Sequence, residues 1–258
     1  MANLAVVKEP ATAMKSIGQK SQTPNDYGTP NLLFLFYIPP VPDSEREKLN
    51  SLKADIQSWF AFEAGKAELQ VEDRLEAGEL TADDSAALRV KRTIYRAKVV
   101  NFYRNDGQAW APRSSADKGQ RDITAKKQDM NGVIRKELLD HYIRSGVVPA
   151  QFSFILQAVN LLIAANPDWE HKYLFTHVVF KYNDAKKAIT PYIFVSDFEV
   201  KLPELQDDDS EESVAIDYSD YKLDFVRATW DKTKGEAKDF IASGERICRQ
   251  MSLELCIN

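Results

Sequence analysis

The side chains able to do chemistry are few and scattered. There are three histidines, His141, His171 and His177, and no two have the i, i+4 helical spacing that puts a pair of imidazoles on one metal ion. Asp197 and Glu199 share one face of a strand pattern, the arrangement in which two carboxylates can divide acid and base roles. Charges alternating on a wet strand face read more simply as solvated, and no apolar pocket around them is evident in the pattern. The run Glu204 to Glu212, ELQDDDSEE, is acidic enough to attract a cation, but lacks the glycine and closing glutamate of a helix–loop–helix calcium site. Arg89, Lys91, Arg92, Arg96, Lys98 and Arg104 are interleaved with Tyr95, Phe102 and Tyr103, a mixture that can track a phosphate backbone and stack bases. Nearby acidic residues and a net charge of −5 weigh against that nucleic-acid alternative. No phosphate-binding glycine loop, dinucleotide glycine pattern or serine elbow occurs. The expectation is a protein that is not an enzyme and that uses neither cofactor nor metal.

The elements that would position such groups are clearer. The 258 residues are 44% hydrophobic and 28% charged, the balance of a globular chain with a substantial core. The clearest stretch is Lys172 to Leu202. A first strand, Tyr173 to Tyr182, is mostly β-branched or aromatic. A second, Ile189 to Leu202, puts Tyr192, Phe194, Phe198, Val200 and Leu202 on one face and Ile193, Val195, Asp197, Glu199 and Lys201 on the other. Asn183, Asp184, Ala185, Lys186 and Lys187 between them make a turn joining antiparallel neighbours.

Residues 1–30 read as a flexible N-terminal arm, and 31–258 as one α/β domain. Asn31 to Ile38 is apolar on both faces, which predicts a strand inside the sheet. A helix capped by Asp43 or Ser44 runs to Gly65 as its stop, and a charged helix continues from Lys66 to Gly78. A further helix from Ser85 towards Ala97 leads into a strand over Lys98 to Tyr103. Asn105 to Lys127 reads as a long polar loop. Asp129 to Ser145 and Ala150 to Ala165 are consecutive helices. The second, AQFSFILQAVNLLIAA, has only Ser153, Gln157 and Asn160 as a polar stripe. Such a helix needs cover on most of its circumference, or can leave the sheet and lie in a lipid interface. Beyond the hairpin the pattern predicts a strand pair, Val214 to Tyr218 and Tyr221 to Thr229, and a C-terminal helix over Lys234 to Leu255. On that helix Cys248 and Cys256 fall two turns, roughly 12 Å, apart, too far for a disulfide. Both read as small buried hydrophobes.

The hairpin resembles that of the Cyt-type cytolytic δ-endotoxins. Val178 and Phe180, Tyr192, and Phe198-Glu199-Val200-Lys201-Leu202 carry the likeness, together with the order of elements from Leu32 to Trp230. The resemblance implies a three-layer fold in which an antiparallel β-sheet is flanked by helix hairpins. It also implies a membrane-interacting activity, pore-forming, cytolytic or lipid-binding, in which amphipathic helices detach from the sheet. The lipid-facing candidates so implied are Phe152, Phe154, Ile155, Leu162 and Ile163, with phospholipid as partner. A higher charge content, the 105–127 and 204–212 segments and the helix past Thr233 depart from that pattern. The alternative is a structural, self-assembling protein, a homo-oligomer joined through strand edges. No secretory signal is evident in the first residues, so cytoplasmic synthesis is expected, with release by another route if the protein acts outside the cell.

Overall fold

The computed structural model describes residues 26, 29–144, 152–202 and 211–256. The sheet is built around β1 (Leu32–Ile38), whose side chains are buried on both faces. β3 (His171–Asn183) lies on one side of it and β6 (Ser252–Cys256) on the other, both parallel to it. From β3 the sheet continues antiparallel through β4 (Ala188–Lys201) and β5 (Glu211–Leu223) to the edge strand β2 (Arg113–Lys126), giving the order β2-β5-β4-β3-β1-β6. The sheet is therefore mixed, where an antiparallel one is expected from the sequence. A strand joined to the next through helices can return parallel, and β1 is separated from both its neighbours by such crossovers.

The β3–β4 hairpin is antiparallel, as predicted, and its register sets Tyr173 opposite Phe198 and Val178 opposite Ile193. One face of the sheet carries α1 (Asp43–Glu76), α2 (Ala86–Asn105), α5 (Arg227–Thr233) and α6 (Lys238–Gln250); the other carries α3 (Lys127–Arg144) and α4 (Ser153–Ala165). Leu32, Phe34 and Phe36 point to the first face, Leu33, Leu35 and Tyr37 to the second, so β1 serves two cores.

Several elements differ from their local pattern. α1 runs straight through Gly65. That glycine is a contact rather than a stop: a Cβ there would lie 2.0 Å from the carbonyl oxygen of Phe240, and one on Gly244 of α6 would lie 1.8 Å from that of Ala61. The two glycines let the helix backbones touch. Lys98 to Tyr103 is helical, because Val90, Ile94, Ala97 and Val100 continue a buried helical face that outweighs the local β-branched pair Val99-Val100. The segment expected to be a polar loop contains β2, paired with β5 along its length; its outward residues are polar because an edge strand with mostly uncovered faces has no core to face. β5 is one strand, not two, and the chain after it turns into α5. The C-terminal helix ends at Gln250 and gives way to β6, whose five residues are too short to outweigh the helical periodicity before them. Cys248 is accordingly buried, while Cys256 is exposed on β6. Of the expected arm only Asp26, Thr29 and Pro30 are among the described residues. The expected helix ends at Ser145 and Ala150, and positions 204–210 of the acidic run, fall outside them.

Candidate functional site

α4 turns Ile155, Leu156, Val159 and Ile163 toward the sheet, and Phe152, just before it, is buried with them. Its outer side is not the polar stripe alone. Phe154 is 53% exposed and Leu161 60%, one on the first turn and one two turns on. Of the five lipid-facing candidates, Phe152, Ile155 and Ile163 are inner-face residues, Leu162 is half-buried and Phe154 faces solvent. Leu161, the most exposed large apolar residue of the helix, escapes sequence reading; its i+7 spacing from Phe154 is the signal that could have found it.

The floor beneath α3 and α4 is aromatic. Tyr142 of α3 is fully covered, its ring 5.0 Å from Phe152, 5.5 Å from His177 and 6.1 Å from Phe198, centroid to centroid. Burial holds its hydroxyl pKa well above the ordinary value. His177, on β3, shares a 3.1 Å hydrogen bond between Nδ1 and the Tyr37 hydroxyl, and its Nε2 has no hydrogen-bond partner among the described residues. Complete burial lowers its pKa from 6.5 to about 3, so the ring is neutral. His171 donates through Nε2 to the carbonyl of Asn166 at the end of α4, 2.8 Å away, and Nδ1 meets the Tyr173 hydroxyl at 3.2 Å. Burial lowers its pKa as well. At the other rim His141 of α3 contacts Asp220 of β5, and Arg121 of β2 pairs with Glu137 of α3 at 3.3 Å, around a small cleft that also touches Tyr218.

The basic cluster is divided between the interior and the surface. Arg92, Arg96 and Arg104 sit at helical spacing on the inner side of α2 and are fully buried. Arg92 pairs with Asp26 at 2.7 Å, Arg96 with Asp26 and Glu68, and Arg104 with Glu63 at 2.7 Å. Glu63 also accepts from Trp59 Nε1 and Gln108 Nε2, both at 3.0 Å, and Arg104 donates to Thr176 at 2.6 Å. Arg89 and Lys98 pair with Asp84 and Glu170, and Lys91 remains exposed on the outer side. The guanidinium groups that would meet phosphate are thus committed to carboxylates inside the protein.

Asp197 lies beneath α2, not on a wet outer face. It accepts from Asn101 Nδ2 at 2.7 Å, and burial raises its pKa; Lys172 stands 3.7 Å away. Among the described residues no group of His, Cys, Asp and Glu could hold a metal ion, and no helix is long and apolar enough to cross a membrane.

No protein-family model matches the chain, and no curated protein does. Among solved structures it is similar to that of the Evf virulence factor, at 11% identity over 93% of each chain and a TM-score of 0.41.

Proposed function

We propose that the protein acts at membranes in a toxin-like manner, with the α3–α4 layer as the part that meets lipid. The observation that carries this reading is α4: apolar toward the sheet and apolar again, through Phe154 and Leu161, toward solvent. A helix of 13 residues spans about 20 Å, short of the roughly 30 Å hydrocarbon core, so it lies in the interface and does not cross. Contact begins with the two exposed side chains. Separation of the layer then offers Phe152, Ile155, Val159 and Ile163 to the acyl boundary, and lipid replaces the sheet as their apolar surroundings. Pore formation or cytolysis is the stronger form of the same reading, and phospholipid is its partner.

Vesicle co-sedimentation and dye release test it. The double variant Phe154→Asp/Leu161→Asp should keep the stability of the parent, both sites being exposed, and lose at least about tenfold in vesicle affinity, since an aspartate in the apolar region costs on the order of 2–3 kcal/mol. A parent protein that neither binds nor leaks vesicles at micromolar concentration refutes the proposal.

Self-association is the second reading, because β2 leaves one long edge open. Its side chains include Asp117, Lys118, Arg121 and Asp122, charges of both signs of the kind that keep edges apart. Particle size rising with concentration in lipid-free light scattering would favour it.

A further inference from the structure

We infer that docking of the α3–α4 layer is acid-sensitive: all three histidines of the chain lie where this layer meets the sheet, and protonation of the central one, His177, releases the layer. The inference rests on the separable layer of the proposed function and adds how its release is controlled.

The placement is specific. His177 lies under Tyr142 of α3 and Phe152 at the entry to α4, with ring centroids 5.5 and 5.3 Å away. His171 ties β3 to the exit of α4 through the Asn166 carbonyl. His141 joins α3 to β5 through Asp220. The groups facing His177 are the Tyr37 hydroxyl from β1, Tyr142 from α3, Phe175 from its own strand β3, and, behind Tyr142, Ser196 of β4 and Asp220 of β5, the latter engaged by His141. α4 contributes no ionisable side chain. An imidazolium here would have a phenol on one nitrogen and, among the described residues, no hydrogen-bond partner on the other, and the rings of Tyr37, Tyr142 and Phe152 within 6 Å offset only part of the cost of burying its charge.

The sign follows from which form the docked state holds. Burial holds the docked ring near 3, against 6.5 when hydrated. The neutral form is thus required, docking is complete above about pH 6.5, and it weakens about tenfold for each unit of pH between there and about 3. His171, also lowered by burial, acts in the same sense.

Amide hydrogen exchange of the whole chain, without lipid, tests the inference. After correction for the chemical exchange rate, protection of α4 should fall roughly 30-fold between neutral pH and about pH 5, from a level already below that of α1 and α6. His177→Gln and His177→Phe should each flatten that dependence. Protection of α4 that ignores pH, a dependence undiminished in both variants, or α4 opening only together with α1 would overturn it. Because no lipid is present, acid opening with inert vesicles would sink the membrane proposal and leave this one standing; vesicle binding with a pH-independent α4 would do the reverse.

Discussion

The two helical layers meet one sheet by different chemistry. On the α1/α2/α6 side the attachment runs through helices locked to one another by buried charge, Glu63 with Arg104 and Asp26 and Glu68 around Arg92 and Arg96, and by backbone against backbone at Gly65 and Gly244. Arg104 and Asn101 carry that polar network on to Thr176 and Asp197 of the sheet. On the α3/α4 side it is mostly ring against ring, with Tyr142, Phe152, Phe175, His177 and Phe198 packed together and the ionic contacts at the rim. Buried ion pairs need not add net stability, but withdrawing one partner strands the other, at about 3–5 kcal/mol. Apolar contact is non-directional and can be exchanged for another apolar phase. The first layer is therefore one interlocked unit that also reaches the sheet through polar contacts, whereas the second can part from the sheet wherever something else will cover its greasy face.

The largest expected effect comes from removing a charge on the fixed side. Glu63→Gln leaves Arg104 buried without its carboxylate and should cost about 3–5 kcal/mol in chemical denaturation, with every element losing protection together. Loss confined to α2 would break the contrast between the layers. Gly244→Ala is the next test. Its methyl must push α6 away from the Ala61 carbonyl, and a cost of about 1–3 kcal/mol in thermal or denaturant unfolding is expected, again shared by both layers. The smallest effect sharpens the other side. Ile163→Val trims one buried methyl under α4 and should cost about 0.5–1.5 kcal/mol, read as faster exchange in α3 and α4.

How far pattern alone reaches differs by element. β1, the β3–β4 hairpin, α3 and α4 are readable because each carries an uninterrupted period of its own type. β2 is not, because an edge strand with wet faces has no apolar alternation to display. Gly65 reads as a helix stop until α6 is seen lying against it. The arginines of α2 resemble a surface patch because a sequence shows charge but not the carboxylates that come from another helix. At the candidate site the apolar character of α4 is plain, yet five residues chosen from it divide between inner and outer faces. His177 looks like an ordinary strand residue until Tyr142 and Phe152 close over it.

Sequence by itself determined the α/β class, the antiparallel hairpin at its centre and a helix too apolar for solvent on every side. These are properties of neighbours along the chain, where side-chain period and turn residues act over a few positions. The parallel placement of β1 between β3 and β6, the pairing of buried charges, the exposure of Phe154 and Leu161 and the gathering of three histidines beneath one layer were decided only in the tertiary structure. Each depends on which distant segments share a surface, and burial and charge pairing are set by that partner rather than by the residue's own surroundings in the chain.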